Sequence, residues 1–203
     1  MITIEKNRLI WRTNGETIMI EPWGENALRI RSVMMGEVVD TDYALLSPER
    51  TDSSIELGKD RAKITNGKLS AVIELSSSGW RKDHGKITFH KQDGSVLFED
   101  IDQKDSPSPH PREFRSIGGG DCRLICSFKA YEGEKFYGMG QYQLEKLNLK
   151  GCILELAQQN TQASVPFVTS SRGYGFFWHN PAVGKVVFGE NKTIWMAEST
   201  KQR

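Results

Sequence analysis

Apolar and polar residues alternate in short runs along most of this chain, and the runs are separated by turn-forming residues. Between residues 2 and 35 the turn signals fall at Asn7, at Asn14-Gly15 and at Trp23-Gly24-Glu25-Asn26. Asn14-Gly15 predicts a hairpin, because a type I′ turn needs two adjacent residues that tolerate positive φ. In the next run Leu28, Ile30 and Ser32 share one face, and Arg29, Arg31 and Val33 the other. Two arginines on one face predict a solvated sheet surface, in preference to an anion site. Residues 36–52 lose the periodicity. Asp40, Asp42, Pro48 and Asp52 mark a loop there, which Tyr43, Leu45 and Leu46 are expected to pin to the core. Its aspartates lack the spacing of a calcium-binding loop.

From Ile55 to Asp100 the hairpin pattern repeats through RAKIT, LSAVIEL, KITFH and SVLFE, with turns at Asn66-Gly67, Ser78-Gly79 and Asp93-Gly94. Strands at such short intervals predict an antiparallel sandwich or barrel and argue against parallel βαβ units. No stretch reads as a helix of more than a turn or two. The segment Asp102–Arg112 carries Pro107, Pro109 and Pro111, so it is expected to be an extended loop without ladder bonds, inside a single domain. Gly118-Gly119-Gly120 predicts a turn into the Cys122 strand. A phosphate-binding loop would need a helix to follow.

The stretch Glu134–Asn180 is organised differently. Phe136 and Tyr137 lead into Gly138-Met139-Gly140, a strand running into a backbone-permissive bend. Leu149 to Leu156 alternates, placing Cys152, Leu154 and Leu156 on one face and Ile153 and Glu155 on the other. The amide- and hydroxyl-rich segment Ala157–Ser164 then interrupts the pattern, and Val165-Pro166-Phe167 restores extended backbone, as the residue before a proline requires. Phe176, Phe177 and Trp178 are consecutive, so large aromatic rings are expected on both faces of one strand. Two further strands, KVVFG and TIWMAES, follow.

At 203 residues the chain suits one all-β domain, residues 1–203, with a sizeable core. Its 27 basic and 26 acidic residues leave a net charge of +1, which gives no electrostatic case for nucleic acid or an anionic membrane surface. No run is long enough to span a bilayer, and the first residues lack the apolar core of a signal peptide, so a cytoplasmic location is expected. Cys122 and Cys126 lie four residues apart on one strand, about 13 Å at ~3.3 Å per residue. That separation is too large for a disulfide, and reduced core thiols are expected.

The residues FYGMGQ and VPFVTSSRGYGFFWHNP, with NRLIWR and IEPWGENALRIR near the start, resemble the amino-terminal domain of family-31 glycoside hydrolases, the α-glucosidases and α-xylosidases. The resemblance implies an antiparallel β-sandwich of the galactose-mutarotase-like, or supersandwich, type. It also implies a catalytic (β/α)8 barrel in the same polypeptide beyond these residues, carrying the catalytic aspartates. The amino-terminal domain itself would be non-catalytic, and α-glycosidic bonds of oligosaccharides would be cleaved by the full-length enzyme.

The residues agree with a non-catalytic domain. Retaining glycoside hydrolysis needs two carboxyl groups about 5–5.5 Å apart, and the carboxylate that stands out, Glu155, reads as a solvated or salt-bridged strand residue. His84, His90, His110 and His179 have no ligand spacing, so neither metal nor cofactor is expected. What the chain offers a sugar is the loop around Gln158, Gln159, Asn160 and Thr161, whose amides and hydroxyl match the vicinal hydroxyls of a pyranose. The resemblance places such a loop at the rim of the barrel's sugar site. A free-standing carbohydrate-binding module would display spaced aromatics as a stacking platform, and an aldose-epimerase-like enzyme would need a positioned acid and base. The partners expected are the barrel, the oligosaccharide and, for the isolated domain, a second copy meeting it through the Phe176–Trp178 aromatics.

Overall fold

The computed structural model describes residues 1–40, 44–46, 52–76, 84–101 and 110–200. Among them the chain forms 17 strands and no helix, every strand pair antiparallel. The expectations for Asp42, Tyr43 and Pro48, for the Ser78-Gly79 turn and for Pro107 and Pro109 lie outside the described residues. The described chain divides into two compact units, residues 1–99 and the remainder from Asp100 on.

In the first unit β1 (Ile2–Glu5), β2 (Arg8–Thr13), β3 (Glu16–Pro22) and β4 (Leu28–Met34) form one sheet in sequence order. A second sheet, also in sequence order, holds β5 (Ser53–Leu57), β6 (Arg61–Asn66), β7 (Leu69–Leu75), β8 (Gly85–Lys91) and β9 (Val96–Glu99). Leu9, Trp11, Ile18, Ile20, Ile64, Ile73 and Ile87 are buried. The turn at Asn14-Gly15 has φ of 47° and 80°, the positive pair that the hairpin requires. At β6–β7 the turn slips by one residue from Asn66-Gly67: Asn66 pairs with Leu69 across it, leaving Gly67 and Lys68 central. Asn66 stays in its strand because its buried amide donates to the carbonyls of Gly24 and Ala27, 2.8 and 2.7 Å away.

Two expectations for this unit are corrected. The arginine face of β4 is not solvated. The side chains of Arg31 and Glu21 are 7% and 5% exposed, and Arg31 donates to Glu21 at 2.6 Å and to Asp40 at 2.9 Å. Arg8 binds the other oxygen of Glu21 at 2.8 Å. Alternation alone missed this, because the carboxylate comes from β3 and the second acceptor from the chain after β4, where Arg31 also donates to the Val39 carbonyl. Leu46 does not pin its loop; it is exposed.

The second unit is wound less simply. β10 (Arg112–Gly118), β11 (Asp121–Lys129), β17 (Lys192–Thr200), β16 (Gly184–Phe188) and β13 (Ile153–Leu156) form a five-stranded sheet in that order. β12 (Phe136–Gln141), β14 (Ala163–Ser170) and β15 (Tyr174–Phe177) form a three-stranded one. The core between these strands is aromatic. Trp195 has Phe176, Trp178 and Phe188 within 5.9 Å between ring centroids, and Phe136 stacks on Phe188 at 4.7 Å. Alternation along β17 explains the central ring, since Thr193, Trp195 and Ala197 all turn inward. Gly118-Gly119-Gly120 makes the β10–β11 turn with φ of 92°, 63° and 81°. All three cysteines are free thiols.

Candidate functional site

The loop between β13 and β14 is positioned by an irregularity in β12. Gly138, Met139 and Gly140 have consecutive positive φ of 116°, 72° and 89°. Met139 therefore turns into the core, where it is fully buried. Opposite it the register shifts: Gly138 pairs with Val168 and Gly140 with Ser164, so Val165, Pro166 and Phe167 stand against one residue. A proline is tolerated where the ladder is already interrupted. The glycines are required by space as well as by φ. A Cβ on Gly138 would lie 2.8 Å from the carbonyl oxygen of Phe167, and one on Gly140 would collide with that of Ala163. The predicted bend is thus a bulge that fixes where β14 begins, and with it one end of the loop.

The other end follows the predicted alternation: Leu154 and Leu156 are buried, Ile153 and Glu155 exposed. The strand is shorter than the alternating run, beginning at Ile153 instead of Leu149. Residues 149–152 are held as a turn, with Cys152 N–H donating to the Leu149 carbonyl at 2.9 Å and Gly151 at φ 81°.

Between these ends the chain turns tightly. Gln159 and Gln162 form an isolated bridge, and Thr161 takes a φ of 67°. Most of the amides bind the loop itself. Gln158 donates to the Ser164 carbonyl at 2.7 Å and accepts from the Ser164 N–H at 3.1 Å. Gln162 donates to the Ala157 carbonyl at 3.2 Å, and Gln159 to the Glu155 carboxylate at 2.9 Å. Thr161 accepts from the Gln143 amide at 2.9 Å. The Asn160 side chain is exposed and has no hydrogen-bond partner among the described residues. The four residues singled out from the sequence therefore differ. Asn160 and Thr161 form the tip, Gln159 turns its NH2 to Glu155, and Gln158 closes the base. Sequence reasoning did not single out Tyr142 or Gln143, which approach from a separate segment; side chain spacing gives no sign of that.

Beside the loop, the outer face of the three-stranded sheet is apolar. Phe167 and Phe177 are paired across β14 and β15 and are 44% and 40% exposed, with Val165 close by in β14. The Phe167 ring lies over Gly175, where a Cβ would come within 2.9 Å of it. The consecutive aromatics divide as expected. Trp178 is buried and Phe176 packs against the core, whereas Phe177 turns outward and stacks on His179 at 5.3 Å. The turn after β15 is organised by Asn180, whose side chain oxygen accepts from the Ala182 N–H at 3.0 Å.

A buried carboxylate braces the same sheet from within. Glu134 accepts from the Tyr174 hydroxyl at 2.8 Å and also from Ser170. Burial, and then the Glu134 charge, hold the Tyr174 phenol far above its usual range, so it stays a donor at any physiological pH. Among the described residues no group of histidine, cysteine, aspartate and glutamate is arranged to hold a metal ion.

The comparisons with known proteins agree on one family. Residues 17–186 match the model of the Glycosyl hydrolase 31 N-terminal galactose mutarotase-like domain. The chain is 38% identical over 213 aligned residues to an uncharacterized family 31 glucosidase of Pseudescherichia vulneris, covering 97% of this chain and 39% of that protein. It is 27% identical to Alpha-xylosidase A of Aspergillus niger, covering 91% of this chain and 27% of that protein. Among solved structures, a GH31 alpha-xylosidase from a soil metagenome, complexed with xylose, superposes with a TM-score of 0.90 at 38% identity. All of this chain and 31% of that one are covered. The chain thus spans well under half the length of these relatives, and over that span it belongs to the family of N-terminal galactose mutarotase-like domains of the family-31 glycosyl hydrolases.

Proposed function

We propose that residues 1–203 are the non-catalytic amino-terminal domain of an α-glycosidase, which packs on a catalytic barrel of the same polypeptide and lends a loop to the rim of its sugar site. The observation that carries this reading is the family match over residues 17–186, set against relatives of which the chain covers only 39% and 31%. That match runs through both compact units, which supports treating them as one domain. α-Xylosides are favoured as substrates by the two alpha-xylosidases among these relatives, and α-glucosides, to which the equally identical glucosidase points, are the alternative. A cytoplasmic location belongs to the same reading.

Within it, Asn160 and Thr161 meet the sugar. The apolar face of Phe167 and Phe177 is covered by the barrel in the intact enzyme and drives self-association of the isolated domain, since solvent-facing aromatic surface of this kind marks an interface. The test is the coding sequence downstream of Arg203, followed by assay of the purified products. A barrel with paired carboxylates, α-xylosidase activity in the full-length protein and none in residues 1–203 are expected. A stop codon after Arg203, or sugar released by the isolated domain, would overturn the reading.

A further inference from the structure

Two consecutive residues outside the loop grip it at both levels. At the base, Tyr142 Oη lies 2.8 Å from the Glu155 carbonyl oxygen and 2.8 Å from Ser164 Oγ, joining the end of β13 to the start of β14. A phenol has one proton. The carbonyl has none to offer, so it receives that of Tyr142, and the Ser164 hydroxyl supplies the second bond. At the tip, Gln143 Nε2 donates to Thr161 Oγ1 at 2.9 Å. This bond sets a polarity. With its oxygen accepting from Gln143, the Thr161 hydroxyl keeps its own proton for a partner outside the loop, next to the uncommitted Asn160 amide.

We infer that Tyr142 and Gln143 are positioning residues, a clamp that holds the loop tip in place and presents Thr161 as a hydrogen-bond donor to a sugar hydroxyl. The inference rests on the reading that this loop borders the sugar site, and it deepens that reading by assigning which group at the tip donates. A sugar hydroxyl that accepts from Thr161 leaves its own proton for the Asn160 oxygen or for Gln159 Oε1. The Gln159 oxygen is free for this because its NH2 is held by Glu155.

The experiment uses the full-length enzyme with p-nitrophenyl α-D-xylopyranoside and measures KM, kcat and melting temperature. Gln143 is exposed, so its variants fold. Gln143→Ala is expected to raise KM about fivefold, the loss of one neutral hydrogen bond, with kcat within about twofold and the melting temperature unchanged. Gln143→Glu separates polarity from placement. The carboxylate keeps the contact but takes the Thr161 proton, so KM rises as much as in Gln143→Ala. Tyr142→Phe keeps the ring and loosens the base, and is expected to raise KM in the same direction. Asn160→Ala tests the underlying reading. If Asn160→Ala raises KM while both Gln143 variants match the wild type, the clamp is refuted and the loop reading stands. If Gln143→Glu alone matches the wild type, the donor assignment of Thr161 is refuted. If Asn160→Ala and both Gln143 variants all match the wild type, the loop does not border the site and the clamp falls with it.

Discussion

In residues 1–99 every strand pairs with its neighbour in sequence, whereas from Asp100 on β11 pairs with β17, β12 with β14 and β13 with β16. The two units also place their irregularities differently. The first is made of antiparallel strands in sequence order, and its unusual feature is charge: Glu21 enclosed with Arg31 and Arg8 against a sheet face. The second is interrupted by the positive-φ run at Gly138, Met139 and Gly140, and the candidate site begins directly across from that interruption. Local pairing builds a scaffold from contacts close in sequence. Bringing a polar loop, a bulge and a clamp from separate segments to one place needs strands that pair out of order, at the cost of longer loop closures.

Five substitutions test this contrast, from the largest expected effect to the smallest. Trp195→Ala removes the ring on which Phe176, Trp178 and Phe188 converge, and should cost about 3–5 kcal/mol in denaturant unfolding. A loss near 1 kcal/mol would mean that the aromatic core is not what holds the second unit. Glu21→Gln leaves Arg31 buried with only Asp40 as a charged partner; a loss of about 3 kcal/mol is expected, since breaking a buried ion pair strands a charge. If Glu21→Gln proves neutral at pH 7, the charge cluster is incidental and the units are more alike than the contrast holds.

Gly140→Ala combines backbone strain with a collision against the Ala163 carbonyl. A loss of about 2–3 kcal/mol is expected, together with altered loop geometry visible as faster amide hydrogen exchange at residues 157–164. Gly94→Ala is the control in the first unit: its φ is 84° but a Cβ there meets nothing within 4 Å, so only the strain, about 1 kcal/mol, remains. Equal losses at the two glycines would remove the argument from close packing.

Asp40→Asn should have the smallest effect. Hydrogen bonds from Arg31 and then Arg8 lower the Asp40 pKa. A carboxyl whose folded pKa lies below its unfolded value, about 3.9, adds stability above that value and loses it as pH falls through the folded pKa. Asp40 is half-exposed, so solvent screens the pair and the loss at pH 7 should be under about 1 kcal/mol. The difference in melting temperature from wild type should shrink below about pH 4. A difference that persists unchanged in acid would assign it to packing instead of charge.

The sequence by itself determined what depends on neighbours along the chain. Alternation located the strands and, in Leu154 and Leu156, the buried face of β13. Turn chemistry located the hairpin at Asn14-Gly15, and the paired glycines announced the bend at Met139. The glycine-aromatic motifs identified the family, which the comparisons bear out. Tertiary structure decided whatever depends on what lies across from a residue. Arg31 reads as a surface residue until Glu21 and Asp40 are brought to it, and Asn66 reads as a turn residue until Gly24 and Ala27 offer it carbonyls. In the loop, composition marked a polar segment, but an amide's availability depends on its partners. Gln158 is occupied by Ser164, Thr161 by a residue 18 positions earlier in the chain, and Asn160 is left free. Periodicity records which way a side chain points; only the closed fold supplies what it meets there.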